Sequence, residues 1–201
     1  MTVFVTRRHI IGSISAAAGL AALPGAALAL NPGLARSMVD KLVAEINRVI
    51  DSGKSEASMY RDFESIFKDY SDTSYIAAYA LGVDGRRASS SQKRAFTAAF
   101  TGYISRKYGK RFREFIGGKL VVEDVRQVKN FLEVRTTAYL RGESPFEVAF
   151  HVSDRTGREL FFNIYIEGVN MLLTERTEIG AMLDARRGDI DRLIADLKHT
   201  G

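Results

Sequence analysis

The sequence predicts an α+β fold: helices first, then a curved antiparallel sheet of four to five strands, then helices again. Three observations indicate this order. Apolar residues recur every three or four positions from Asn31 to about Gly118, as in amphipathic helices. From Lys119 the period changes to two, as in strands with one buried face. Near Glu178 the helical period returns.

Four helices are predicted before the sheet. They cover residues 31–53, 56–70 and 74–81, and a longer stretch from Ser89 to the Gly117–Gly118 pair. A serine at the start of the fourth helix can cap its free N–H groups. That helix carries an aromatic stripe at helical spacing: Phe96, Phe100, Tyr103, Tyr108, Phe112 and Phe115.

The strands follow from apolar residues at every second position, with turns between them. The predicted inner rows are Leu120, Val122 and Val128; Leu132, Val134, Ala138 and Leu140; Phe146, Val148, Phe150 and Val152; Leu160, Phe162, Ile164 and Ile166; and a short Val169, Met171 and Leu173. The outer face is predicted to be wet and carries Glu133, Arg135, Thr137, Glu147, His151, Asn163 and Glu167. Two short helices, 178–187 and 189–198, complete the chain.

The first 29 residues predict an export signal. Arg7 and Arg8 precede an apolar run that ends at Pro24, and the small-x-small triplet Ala27-Leu28-Ala29 is typical of a cleavage site. The alternative is an uncleaved membrane anchor, since about 20 apolar residues can span a bilayer. We expect a twin-arginine-like signal over residues 1–29, a single domain over 30–201, and a periplasmic location.

Composition excludes several classes of function. The chain has no cysteine, which rules out disulfides, thiolate nucleophiles and iron–sulfur sites. Its formal charge of +5 falls to +3 when Arg7 and Arg8 leave with the signal, and the remaining charges alternate in sign, so we expect no nucleic-acid partner. The local basic excess is Lys107, Lys110, Arg111 and Arg113. It predicts a head-group or docking site, or simply a solvated helix face.

Catalytic motifs are missing from the sequence. It contains no HExxH, phosphate-binding loop, GxSxG or GxGxxG pattern. Of three histidines, only His151 lies within the predicted domain and away from its end. We expect no catalytic residues, no metal and no cofactor. What remains is aromatic and apolar bulk, which is either plain core or the lining of a cavity for an apolar ligand.

Three segments resemble a known family, the periplasmic phospholipid-binding MlaC or toluene-tolerance auxiliary proteins. The similar residues are Ala80-Leu81-Gly82 with Arg86-Arg87-Ala88 and Gln92 to Phe96 and Phe100; Phe162 to Val169; and Arg176 with Asp189, Leu193, Ile194 and Leu197. The sequence departs from the family at Gly85, where Trp is common, and at Asn163 and Asn170, where Asp and Ser are usual. Thr174-Glu175-Arg176 also replaces the usual Asn-Tyr-Arg. A hopanoid-associated branch shares the pattern, and its ligand can differ.

The resemblance implies a nuclear-transport-factor-like cone with a helical extension that holds acyl tails inside and a head group at the surface. It also implies a lipid shuttle between an inner-membrane ABC transporter complex and an outer-membrane lipoprotein complex, in maintenance of outer-membrane lipid asymmetry. Periodicity and resemblance together predict the lipid-binding residues as Leu81, Phe96, Phe100, Tyr103, Ile104, Leu132, Val134, Ala138, Val148, Phe150, Phe162, Ile164 and Met171.

Two other functions fit the same fold class. An isomerase or dehydratase in the same cone needs a buried ionisable group, and the candidates are Asp124, Glu133, His151 and Glu167. Glu133, His151 and Glu167 are predicted on the wet face of the sheet, which argues against an enzyme. An envelope adaptor that holds no ligand is the third interpretation.

Overall fold

The computed structural model describes residues 30–112 and 118–201, without the side chains of residues 111 and 112. The predicted export signal and Gly117 lie outside these residues. The described elements are α1 (Pro32–Ile50), α2 (Glu56–Tyr70), α3 (Thr73–Leu81), a short 3-10 turn (Gly82–Arg86), α4 (Ser90–Phe112), β1 (Lys119–Val128), β2 (Phe131–Tyr139), β3 (Phe146–Ser153), β4 (Leu160–Ile166), β5 (Val169–Asn170), α5 (Met171–Asp184) and α6 (Ile190–Leu197). This confirms the predicted α+β order.

The helix starts are fixed by side chains that accept backbone N–H bonds. Asn31 caps α1 by accepting from Gly33 at 2.9 Å, and Pro32 stands at the first helical position, where a missing N–H costs nothing. At α4, Ser89 Oγ accepts from the Gln92 N–H at 3.1 Å and Gln92 Oε1 accepts from the Ser89 N–H at 3.0 Å. This reciprocal pair is a capping box, which confirms the predicted serine cap.

The five strands form one antiparallel sheet in chain order, β1-β2-β3-β4-β5. Its register sets Val134 opposite Phe150, and Phe150 opposite Ile164. Irregular pairing occurs between Val122 and Asp124 and between His151 and Val152. Such bulges bend a strand and increase its twist. α1 packs against the β1–β3 part of the sheet, while α3 and α5 contact β4.

The second irregularity changes which β4 side chains face inward. Val152 pairs with Phe161 and His151 pairs with Asn163, so Phe162 is the extra residue. Phe161 then packs against Phe150, with ring centroids 5.8 Å apart. The prediction that Leu160, Phe162, Ile164 and Ile166 form one continuous row was therefore wrong, because a single inserted residue reverses the alternation.

The outer face of the sheet is drier than the sequence predicts. Glu133, His151 and Asn163 are all buried, although their place in the alternation indicated a wet face. Aromatic rings cover His151: the ring centroid of Phe131 is 4.4 Å away and that of Tyr165 is 4.8 Å away. The prediction was wrong for His151 because it did not anticipate rings from the sheet itself covering it, and wrong for Asn163 because that side chain packs against the start of α5.

The end of the sheet also differs from the prediction. Only Val169 and Asn170 form β5, and Met171 begins α5. Asn170 Oδ1 accepts from the Leu173 N–H at 3.1 Å, which caps the new helix. The Asn163 amide supports the cap, because its Nδ2 donates to Asn170 Oδ1 at 3.0 Å. The alternating Val169, Met171 and Leu173 were wrongly predicted as a strand, since a local cap outweighs a three-residue pattern.

Replacing Asn170 should destabilise the junction between β5 and α5. We expect Asn170→Ala to lower the free energy of unfolding by about 1–2 kcal/mol, because it removes the cap and leaves the side-chain nitrogen of the buried Asn163 without its acceptor. Urea unfolding measures the change. Asn170→Asp is the matched control, since it keeps the accepting oxygen, and it should lose less. Equal midpoints for Asn170→Ala and the unaltered chain would contradict this account of the junction.

Candidate functional site

An apolar cavity of about 170 Å³ lies between the helices and the concave side of the sheet. Helices α1 and α2 supply Leu42, Ile46, Phe63, Ile66 and Phe67. The sheet and α5 supply most of the opposite wall: Leu120, Val148, Phe150, Phe161, Phe162, Ile164, Ile166, Met171 and Leu172. Four residues with polar side-chain groups interrupt this lining: Ser105, Tyr108, Asn163 and Glu175. A space of this composition suits a ligand with apolar tails.

Most of the polar groups that border the cavity are already bonded within the chain. Ser105 Oγ donates to the Thr101 carbonyl at 2.8 Å. Asn163 Oδ1 accepts from the Leu172 N–H at 3.1 Å, and its Nδ2 donates to Asn170. These bonds leave the two side chains little capacity for a ligand. The exception is Glu175.

Glu175 belongs to a polar cluster between α4 and α5, made of Tyr103, Lys107, Tyr108, Glu175 and Glu178. Lys107 Nζ donates to Glu175 Oε1 at 2.7 Å and also donates to Glu178. The hydroxyls of Tyr108 and Tyr103 donate to Glu175 Oε1 and Glu178 Oε1 respectively. Only 3% of Glu175 is exposed, whereas the Glu178 side chain is 42% exposed. The cluster therefore connects the cavity wall to the surface.

Three groups of the cluster, Tyr103, Tyr108 and Glu178, have shifted pKa values. Burial, together with the adjacent Glu175 carboxylate, raises the pKa of the Tyr108 phenol well above its usual range. Burial and the bond to Glu178 do the same to the pKa of Tyr103. Burial alone would raise the pKa of Glu178, but the bonds from Lys107 and Tyr103 outweigh it and the pKa is lowered. Both tyrosines thus remain donors at neutral pH.

Six of the thirteen predicted lipid-binding residues border the cavity: Ile104, Val148, Phe150, Phe162, Ile164 and Met171. Phe162 does so although its ring packs against Tyr75 and Phe131. The other seven are buried in the core without bordering it: Leu81, Phe96, Phe100, Tyr103, Leu132, Val134 and Ala138.

The position of α4 explains why Phe96 and Phe100 do not border the cavity. The helix packs mainly against α2, α3 and α6, and the rings of Phe96 and Phe100 stack with their centroids 5.5 Å apart. The first part of the aromatic stripe therefore faces other helices, and α1 packs on the sheet. The helical period shows that α1 and α2 each have an apolar face. It does not show what that face packs against.

The basic cluster is largely engaged within the chain where its side chains are described. Lys107 is held by Glu175 and Glu178. Lys110 Nζ donates to the Gly201 carbonyl at 2.8 Å. The side chain of Arg111 and the whole of Arg113 lie outside the described residues, so their predicted role stays a prediction.

The groups considered for catalysis lie away from the cavity wall. Glu133 Oε2 is 3.2 Å from His151 Nε2, and Arg126 Nε donates to Glu133 Oε1 at 2.7 Å. Asp124 pairs with Arg135, and hydrogen bonding from Arg135 lowers the pKa of that carboxyl. Glu167 is exposed. None of the four borders the cavity, and the described part of the chain has no cluster of three or more potential metal ligands.

Fold and cavity together define a class: small α+β proteins in which a helical layer and an antiparallel sheet enclose an apolar binding space. The family model described as "MlaC protein" matches residues 36–199. The chain therefore belongs to the MlaC family, as the resemblance of its motifs indicated.

A solved structure with the same fold is the phospholipid-binding protein from Ralstonia solanacearum in complex with a phospholipid. It superposes with a TM-score of 0.68 at 17% sequence identity, over 81% of this chain and 98% of that one. At this identity the likeness establishes the shared fold. Among residues 30–112 and 118–201, no helix has the length and apolar character needed to cross a membrane.

The buried His151 predicts a pH dependence of stability. Burial holds its pKa below the ordinary 6.5, although Glu133 opposes the shift. The folded chain therefore binds this proton less readily than the unfolded chain. The stability contributed by neutral His151 is present above pH 6.5 and is lost as the pH falls through the lower folded pKa.

We expect His151→Gln, which keeps a donor for Glu133, to flatten the loss of stability below about pH 6.5. His199→Gln is the control, because His199 is exposed near the chain end. Urea unfolding at several pH values measures the slopes. Parallel slopes for His151→Gln and the unaltered chain would show that His151 does not contribute.

Proposed function

We propose that this protein binds a phospholipid, with acyl tails in the cavity, and carries it across the periplasm. The observation that supports this most is the apolar cavity between the α1–α2 layer and the sheet. Membership of the MlaC family and a phospholipid-binding neighbour of the same fold support it further. They favour a binding protein over an enzyme.

The free-energy cost of exposing lipid tails to water explains why a carrier is needed. Burying one methylene is worth about 0.8 kcal/mol, so exposing the roughly 30 methylenes of a two-chain lipid costs on the order of 20 kcal/mol. Free diffusion of the lipid through water is then negligible. A dry protein cavity resembles the bilayer interior, so the free energy of the lipid differs little between membrane and carrier. Direction must come from the partners.

The size of the cavity indicates that loading involves movement. Its volume of about 170 Å³ is below the ~300–1,000 Å³ of ordinary ligand pockets. Two acyl chains therefore require the helical layer to move away from the sheet. We propose α1 and α2 as the moving wall, because their cavity side chains, such as Leu42 and Phe63, contact the space through apolar surface alone. Apolar contacts are non-directional and can be remade against a tail.

The proposed lipid contacts are the six predicted residues that border the cavity, joined by the α1 and α2 side chains. The remaining predicted residues, such as Phe100 and Val134, are proposed to pack behind the residues that border the cavity and to keep them in place. Lys107, Lys110, Arg111 and Arg113 are proposed to serve the head group or a docking partner. Lys107 already pairs with Glu175 and Glu178, so its proposed contribution is made together with these two carboxylates.

The proposed setting follows the family. We infer export to the periplasm by the signal at residues 1–29 and exchange with two partners: an inner-membrane ABC lipid transporter complex and an outer-membrane lipoprotein complex. A ligand-free adaptor would dock to the same partners without cargo. Native mass spectrometry of protein purified from cells separates the two, because only the carrier retains a lipid.

Filling the cavity should abolish this retention. We expect Ile164→Trp to reduce co-purified phospholipid from about one per chain to less than about a tenth, since the indole occupies the space of the tails. Val169→Trp is the matched control, because Val169 lies on the adjacent strand and is 54% exposed. Thermal unfolding confirms that both variants fold. Equal lipid content in both folded variants would contradict the proposed site.

A further inference from the structure

A surface beside the cavity combines exposed apolar side chains with tyrosine rings and an arginine. It lies where α3 and α5 pack together, and there Arg176 Cζ is 5.1 Å from the centre of the Tyr79 ring. Leu173, one turn before Arg176, is 50% exposed, and Val83 is 56% exposed. We call this surface the α3–α5 face; its members are Tyr75, Tyr79, Val83, Leu173 and Arg176.

Contacts join these residues into one continuous face. The Arg176 guanidinium lies so close to Gly82 that a Cβ atom there would be 3.3 Å from it, which places Arg176 over the turn that carries Val83. Tyr75 and Tyr79 follow each other along α3 with ring centroids 6.2 Å apart. Neither of their hydroxyls bonds another residue within 30–112 and 118–201. The face therefore presents apolar, aromatic and cationic groups side by side.

The α3–α5 face adjoins the proposed lipid site. The ring of Tyr75 packs edge to face on Phe162 at 5.6 Å between centroids, and Phe162 borders the cavity. On α5, Leu173 directly follows Met171 and Leu172, which border the cavity as well. A partner seated on this face is thus separated from the cavity by little more than one layer of side chains.

The charges at the face favour an anionic partner. Among the described residues, neither Arg176 nor Arg86 forms an ion pair, and Arg86 is exposed at the end of the 3-10 turn that carries Val83. The other charged residues of this region, Asp84 and Arg87, pair with each other at 2.9 Å. Two uncompensated cations therefore stand beside the exposed apolar side chains.

This combination suits the surface of a bilayer better than an acidic protein. Tyrosine and arginine side chains join an apolar body to a polar end and are favoured where membrane meets water. Anionic lipids attract each basic residue near their surface. A stable protein interface buries about 800 Å² on each partner, whereas a few inserted side chains give a weak, reversible membrane contact. Such a contact fits a carrier that has to leave after exchange.

We propose that the α3–α5 face is a reversible docking surface for an anionic bilayer. Leu173 and Val83 enter the apolar edge of the head-group layer, and Arg176 and Arg86 meet the lipid phosphates. This inference rests on the proposed function for its role, because docking here brings the cavity next to the lipids that the protein exchanges. It adds the chemistry of the docking partner, which the cavity does not specify.

The test is co-sedimentation of the chain purified from cells with vesicles of dioleoyl phosphatidylcholine, alone or mixed equally with dioleoyl phosphatidylglycerol. All forms of the chain share the same N-terminus, so differences between them come from the substituted residue. We expect binding to the mixed vesicles that weakens as salt is added, and little binding to the neutral vesicles.

Leu173→Glu is the decisive variant. It should weaken binding to the mixed vesicles about tenfold, because an anion replaces an inserted apolar side chain. Leu34→Glu is the matched control: Leu34 is 52% exposed and, like Leu173, is the third residue of a helix capped by an asparagine. Leu34 lies on α1, which packs against α2 and the β1–β3 part of the sheet. It should keep the binding.

Arg86→Gln tests the charge contribution separately. It should weaken binding to the mixed vesicles about fivefold, since one basic residue near an anionic surface is lost. The amount of co-purified lipid per chain should not change. Lys41→Gln is the control, because Lys41 is an exposed cation on α1. If Leu173→Glu does not fold, as judged by thermal unfolding, the comparison of Arg86→Gln with Lys41→Gln still decides.

The outcomes separate this inference from the proposed function. Equal vesicle binding by Leu173→Glu and Leu34→Glu, or no vesicle binding by the unaltered chain, overturns the docking surface and leaves lipid retention intact. Binding to poly-glutamate that Arg86→Gln weakens, with vesicle binding unchanged, assigns the face to an acidic protein and also overturns it. An unaltered chain that carries no lipid but binds vesicles through Leu173 overturns the proposed function and supports the docking surface.

Discussion

The structure depends on keeping one part of its interior unfilled while closing the rest. Protein interiors normally pack as densely as organic crystals, so a cavity has to be held open by rigid side chains around it. The rings of Phe67, Phe150 and Phe161 do this at the seam between α2 and the sheet: Phe161 meets Phe67 at 5.9 Å and Phe150 at 5.8 Å between centroids, both edge to face. The inserted residue in β4 brings Phe161 to this position.

The remaining elements stabilise the frame around that space. α4 is locked by its contacts with α2, α3 and α6, and Arg106 on its far side donates to the Leu197 and Thr200 carbonyls. The amide pair Asn163 and Asn170 joins β4 to α5. Polar bonds also tie the α1–α2 wall: Arg36 of α1 donates to the Val122 and Glu123 carbonyls of β1, and Tyr70 of α2 donates to Glu45 of α1. Toward the cavity, by contrast, α1 and α2 present apolar side chains.

Period and capping signals in the sequence predicted most of the helices, the four longer strands and the α+β class, since these depend on local chemistry. α2 was predicted to the residue, and the Ser89 cap was anticipated. The sequence did not predict the extra residue at Phe162, the shielding of His151 or the packing of α4, because each depends on contacts between distant segments. The same limit applies to the cavity: Ile164 was predicted to bind lipid and borders it, whereas Phe63 borders it and was not among the predicted lipid-binding residues.

The apolar lining limits how the proposed tail site can select a ligand. Apolar burial is non-directional and scales with area, so the cavity distinguishes acyl tails by length and bulk alone. Discrimination among head groups requires a polar group with fixed geometry and no alternative partner. The described cavity wall offers few such groups, because Ser105 and Asn163 are already bonded within the chain.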